Sequence, residues 1–229
     1  MALRKISHVS EADHMLVTAA VAAAEHHTSG EIVTIVTDLS DDYGDIALAW
    51  ATMIAFLALS VVAFMPGSFL GLVDQWLGGW GHVWLPSEYL ALIFLFMSAS
   101  WLGTWLLMKW MPLRLFLTPK HIKQSRVRAR AIDLFKVGIE SNTVGRTGVL
   151  LYVSLHEHQA EIVADEAIVA KVSIEVWGDA MLALIRKVRA GLPGEGMADA
   201  VKRMGIVLAE HFPKGSENPN ELPDRLIEI

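Results

Sequence analysis

Two uncharged apolar runs, Ile46 to Met65 and Tyr89 to Met108, constrain this chain more than anything else in it. Each has about twenty residues, the length an α-helix needs to cross a ~30 Å hydrocarbon core. Lys and Arg are absent from residues 66 to 88 between them. Lys109, Arg114, Lys120, Lys123, Arg126, Arg128 and Arg130 follow the second run, and Arg4 and Lys5 lie near the amino terminus. The positive-inside rule therefore predicts a transmembrane hairpin over 46-112, with both termini cytoplasmic and the loop 66-88 outside. The expected setting is a bacterial inner membrane.

The rest of the chain is polar enough to fold in water. Hydrophobic residues make up 53% of 229 and charged residues 19%, a balance between soluble and wholly membrane-embedded proteins. Residues 1 to 14, MALRKISHVSEADH, lack the apolar core of a cleavable signal peptide. With no Cys there is no disulfide scaffold, thiolate metal site or cysteine nucleophile. A formal net charge of −6 argues against general nucleic-acid binding.

Ser10 followed by Asp13 resembles a capping box, and predicts a helix through His27 that stops at Ser29-Gly30. The β-branched stretch EIVTIVTDL (31 to 39) reads as a strand. In the outer loop, Phe69, Leu72, Val73, Trp76, Leu77 and Trp80 recur at helical spacing, and Trp84 extends the aromatic belt. This amphipathic segment suits either the membrane interface or another membrane protein. Thr118-Pro119 opens a further helix, with Lys123, Arg126, Arg130 and Asp133 on one face and Ala129, Ile132 and Ile139 on another. Its basic face reads as a solvated flank or as a contact for anionic lipid or an acidic partner. GVLLYVSL (148 to 155) and AEIVADEAI (160 to 168) are expected to form a hairpin of strands, followed by helices over about 175 to 190 and 196 to 212. The Pro- and Asn-rich tail is expected to be extended.

Neither polar segment can bury a core alone. The simplest arrangement pairs 31 to 39 with the later strands, so that 1-45 and 113-229 make one split α/β domain. The hairpin (46-65 and 89-108) then serves as the long crossover a parallel pair requires. The expected fold is thus a small mixed sheet flanked by helices, interrupted by an inserted two-helix transmembrane hairpin.

EHHTSGEIVTIVTD (25 to 38), RARAIDLF (128 to 135), TGVLLYVSLHEHQAEIVADEAI (147 to 168), Trp177 and GMADAVKRMGIVLAEHFP (196 to 213) occur in an order that resembles the TPM domain. That family is named for a thylakoid lumenal protein, a photosystem II repair protein and a nematode modulator of acetylcholine receptors. The resemblance covers about 10 to 40 and 120 to 213. It implies an α/β sandwich and a role in maintaining, assembling or modulating membrane complexes. It also implies the acid phosphatase activity and divalent-cation binding attributed to some members. Those members are often exported and held by a terminal span, whereas here the apolar runs lie inside the domain.

No complete catalytic set accompanies the resemblance. TDLSDD (37 to 42) lacks the Asp-x-Asp of aspartyl-phosphate enzymes, no Arg-His-Gly stretch offers a phosphohistidine route, and GLPGEG (191 to 196) joins helices rather than cradling a phosphate. Asp38, Asp41, Asp42 and Asp45 follow the first strand, and Asp165 and Glu166 fall in the expected third strand. Asp38, Asp41, Asp42 and Asp165 are hard oxygen ligands suited to Ca²⁺ or Mg²⁺, or else belong to solvated acidic turns. His156 and His158 alternate along a strand edge and so point to one side, or else belong to an exposed turn, and two histidines are too few for zinc without a third ligand. The favoured reading is a non-catalytic accessory, assembly or maintenance factor for an integral membrane complex, contacting lipid or partner through Lys123, Arg126, Arg130, Trp76, Trp80 and Trp84. The alternative is a divalent-metal-dependent phosphatase.

Overall fold

The structure is a computed structural model in which residues 9-77, 83-139, 147-214 and 222-229 are described. It divides into two compact units, one formed by Met1–Asp41 with Lys120–Ile229, the other by Asp42–Pro119. The elements in chain order are α1 (Glu11–Glu25), β1 (Glu31–Thr37), α2 (Gly44–Phe64), α3 (Pro66–Leu77), α4 (Pro86–Leu107), α5 (Met111–Leu117) and α6 (Lys120–Gly138). After these come β2 (Gly148–Ser154), β3 (Gln159–Ala164), α7 (Glu166–Val169), α8 (Gly178–Arg189), α9 (Pro193–His211) and β4 (Ile227–Glu228).

The first unit is a mixed sheet of order β3-β2-β1-β4 with helices on both faces. β1 runs parallel to β2 from Glu31↔Gly148 to Thr37↔Ser154, and β3 returns antiparallel to β2. Alternation along the strands divides the core. Ile32, Val36, Val149, Leu151 and Val153 face Val17 and Val21 of α1, Leu184 of α8 and Met204 of α9. Val33, Ile35, Leu150 and Tyr152 face Val127, Ala131 and Phe135 of α6. Every residue of β1 and β2 is buried, as strands covered on both faces require.

Local chemistry sets the helix boundaries. At α1, Ser10 Oγ accepts from Asp13 N (3.1 Å) while Asp13 Oδ2 accepts from Ser10 N (2.9 Å), the reciprocal capping box. α1 lies against α9 so closely that a Cβ placed on Gly205 would stand 2.5 Å from the Cβ of Ala24. The buried stripe of α6 is Val127, Ala131 and Phe135 at four-residue spacing. Ala129, expected on an apolar face, is exposed, because the stripe that fits the sheet lies on the other side of the helix. β3 ends at Ala164 rather than 168. Asp165 N donates to Gly148 O (3.0 Å) and Asp165 Oδ2 accepts from Gly148 N (2.8 Å), which closes the strand and starts α7. The tail is not merely extended: Ile227 and Glu228 pair in parallel with Ile35 and Val36 of β1, and Leu222 and Leu226 are buried.

In the second unit, α2 and α4 are both long and apolar enough to cross a membrane, with mean hydropathy of 2.3 and 1.9. α4 packs along α2, whose Ala47, Ala51 and Ala55 form a buried stripe. Small residues at four-residue spacing permit such close helix approach in lipid. Trp101 Nε1 donates to Thr52 Oγ1 across the pair (3.4 Å). Phe56, Phe64 and Phe94 are exposed. In α3, Phe69 meets Phe96 of α4 at 5.3 Å between ring centroids, and Trp84 Nε1 donates to Asp74 Oδ1 at 3.1 Å.

Candidate functional site

Open α/β sheets present ligands at the carboxyl ends of their parallel strands. Here that end is held by a polar clasp. Beyond the strands, Leu155 N donates to Thr37 O and His156 N to Asp38 O, both at 3.0 Å, so the segment leaving β1 and the turn leaving β2 stay paired. Glu157 is buried in that turn, and its Oε2 accepts from Ser40 N (3.0 Å) and from the Ser154 hydroxyl. Ser40 Oγ shares a hydrogen bond of 2.9 Å with the Tyr152 hydroxyl. Thr37 Oγ1 donates to Ile229 O at 3.0 Å, which brings the tail into the same cluster.

Burial dominates the electrostatics and raises the Tyr152 phenol above its ordinary value, with the Ser40 hydrogen bond opposing. A neutral phenol that shares its hydrogen bond with Ser40 is a structural group. Ser154 has no exposed surface, so its hydroxyl and the Glu157 carboxylate do not present a nucleophile and base to a substrate. Their chemistry is to satisfy the Ser40 amide and fix the strand exits.

The acidic residues expected to share a metal do not assemble. Asp41 Oδ2 accepts from Arg126 Nη1 of α6 at 2.7 Å. Asp42 Oδ1 accepts from Gly44 N at 2.9 Å, stabilising the turn in which Tyr43 has φ of 53°. Asp38 remains beside β1, its carbonyl bonded to His156 N. Asp165 is at the other end of the sheet, next to Gly148, because β3 is antiparallel to β2; roughly 20 Å of strand separates it from the carboxyl end of β1. Neither Asp165 nor Glu166 lies in the third strand. Among the described residues, no group of three or more His, Asp or Glu side chains stands where it could hold a metal ion.

The expected lipid or partner contacts fare differently from one another. Arg126 is engaged by Asp41, and Arg130 lies near enough to Tyr152 to favour the ionised phenolate. Burial above all, then Arg189 and His156, holds His158 below its ordinary value, and Lys123 of α6 lies close enough to add to that. Trp76 is exposed on α3, Trp84 is tied to Asp74, and Trp80 lies outside the described residues. Sequence reasoning missed Ser40, Tyr152, Ser154 and Glu157 altogether. The available signal was faint: a Tyr and a Ser inside an otherwise aliphatic strand.

A second polar cluster sits at the opposite end of β1. Glu25 Oε1 accepts from Ile32 N at 2.7 Å, and burial raises this carboxyl to about 8, with Glu31 and Asp224 adding to the rise and Lys214 opposing it. Thr28 Oγ1 donates to Phe212 O (2.7 Å) and accepts from Gly30 N (3.0 Å), joining the α1–β1 turn to the end of α9.

No family model and no curated protein matches the chain. Among solved structures, the NMR structure of the BA42 protein from the psychrophilic bacterium Bizionia argentinensis is similar to it, with a TM-score of 0.56 and 17% identity over 99% of each chain. At that identity the likeness speaks to the fold alone.

Proposed function

We propose that this protein is a membrane-tethered, TPM-like α/β domain that serves a membrane protein complex as a non-catalytic accessory, assembly or maintenance factor. One observation carries the reading: β1, which precedes the apolar helices, pairs along its full length with β2, which follows them. A transmembrane hairpin placed between two paired strands anchors the domain through an internal crossover. The exposed Phe56, Phe64 and Phe94 of the apolar helices suit contact with lipid. The excess of Lys and Arg after the second apolar run supports cytoplasmic termini. The order of motifs shared with the TPM domain supports a maintenance or assembly role, and the acids fixed in structural hydrogen bonds favour it over hydrolysis.

Since the chain has no native Cys, topology is directly testable. Cysteines at Glu11 and Lys202 should be labelled from one side of the membrane and a cysteine at Val83 from the other. Photo-cross-linking in native membranes, followed by mass spectrometry, should then recover one integral membrane protein reproducibly. Recovery of this chain alone across growth conditions would end the accessory reading.

A further inference from the structure

Among the described residues, β3 is an edge strand with no strand on its outer side. The hydrogen bond from Asp165 N to Gly148 O fixes which residues of β3 address β2. Antiparallel pairs alternate, so Val163 and Glu161 turn their N–H and C=O groups toward β2, while Ala160, Ile162 and Ala164 turn theirs away. The bond from Leu155 N to Thr37 O agrees, placing the odd-numbered residues of β2 toward β1. Among the described residues, no other element pairs with the outward groups of Ala160, Ile162 and Ala164.

These groups face a groove of about 390 Å³, walled by Arg128 and Ile132 of α6 on one side and by Val169, Trp177 and Met181 on the other. Edge strands are ordinarily protected by Lys, Pro, bulges or shortness. Gln-Ala-Glu-Ile-Val-Ala (159 to 164) has six residues, no Lys and no Pro. A helix cannot meet alternating main-chain donors and acceptors, whereas an extended backbone can. The groove also carries one charge preference. Arg128 Nη1 stands 3.6 Å from Glu161 Oε2, beyond hydrogen-bond length, and its side chain is mostly exposed, so the guanidinium retains donors for an incoming carboxylate.

We propose that the β3 edge is a strand-addition site for an extended segment of another polypeptide, with apolar or β-branched residues facing Ile162 and Trp177 and one acidic residue facing Arg128. The inference stands independently of the membrane reading.

The test uses the full chain in detergent micelles with a panel of acetylated nonapeptides that alternate Val or Ile with Thr and carry Glu, Lys or Gln at the centre. Binding should slow hydrogen exchange at the amides of Ala160, Ile162 and Ala164 and leave those of Glu161 and Val163 unchanged. Glu-centred peptides should bind more tightly than Lys-centred ones, with the order reversed in Arg128→Glu. A Cβ added at Gly178, which also lines the groove, meets no atom within 4 Å, so Gly178→Leu adds bulk beside the groove from a position with room for its first carbon, and its unfolding transition should match the wild type's. Ile162→Pro removes an outward N–H without breaking the β2 ladder. Each should weaken binding by about tenfold or more. The proposal fails if no peptide slows those three amides at millimolar concentration. It also fails if they are already slowed in a concentration-dependent way without peptide, which would assign the edge to a second copy of the chain. Wild-type protein that binds none of the peptides yet retains its membrane complex would remove this site and leave the accessory role standing. Peptide binding without any membrane complex would do the reverse.

Discussion

Arg126 of α6 donates to Oδ2 of Asp41 at 2.7 Å, joining the acidic segment after β1 to the helix that covers the adjacent face of the sheet. Each residue has an obvious role elsewhere when taken alone, the acid as a metal ligand and the base as a lipid contact. Paired, they neutralise one another. Both side chains are partly exposed, so solvent screens the attraction, and a double-mutant cycle over Arg126→Ala and Asp41→Ala should give a coupling of about 0.5 kcal/mol. Raising salt to 1 M should remove most of it.

Asp165 is expected to matter more for stability. It is buried and holds the Gly148 amide, so Asp165→Ala leaves a buried donor unpaired and should cost about 1–3 kcal/mol in denaturant unfolding. Asp165→Asn retains an acceptor and should cost less. Adding millimolar Ca²⁺ or Mg²⁺ should shift the wild type and Asp165→Ala equally. Metal stabilisation that requires Asp165 would contradict its position at the far end of the sheet from Asp38 and Asp41.

Glu25 makes stability depend on pH. Its carboxyl is raised to about 8 in the folded state against 4.5 for the unfolded chain, so between these values the folded state holds a proton that the unfolded state has lost. The contribution is therefore fully present below about pH 4.5 and is lost as pH rises toward 8, by at most roughly 5 kcal/mol. Glu25→Gln keeps the acceptor for Ile32 N and abolishes the titration. Melting temperatures from pH 5 to 8 should fall less steeply for the variant, which should be the more stable protein at pH 8.

The α1–α9 interface tolerates no bulk at Gly205. Gly205→Val must displace Ala24, and should destabilise the fold by about 1–3 kcal/mol despite removing a helical glycine. Gly138→Ala, where an added Cβ meets nothing within 4 Å, should be neutral or mildly stabilising. Chemical denaturation of the two variants side by side checks the contrast.

The elements legible in the sequence are those whose signal is local. The capping box at Ser10 and Asp13, the β-branched run of β1 and the apolar lengths of α2 and α4 were readable because each depends on neighbours a few residues away. Thr118, expected to cap α6, instead ends α5 with its hydroxyl on Arg114 O, and α6 begins at Lys120. The end of β3 was not, because Asp165 closes the strand by bonding Gly148 across the hairpin. β4 escaped for a related reason: two residues carry no periodicity, and Ile227 and Glu228 become a strand only where β1 offers an edge. At the end of α6, Ile139 lies in the buried cluster as expected while Ala129 is exposed, because only the sheet selects which stripe of the helix is covered.

The linear chain by itself determined where segments are apolar enough for lipid, where helices can begin, and that Cys chemistry is absent. Tertiary structure alone decided which carboxylates meet. Spacing along a strand orders residues within it, but the antiparallel return of β3 sends Asp165 away from Asp38 and Asp41, while α6 delivers Arg126 to Asp41. Charge pairing acts through space over a few ångströms, and no local pattern encodes that distance.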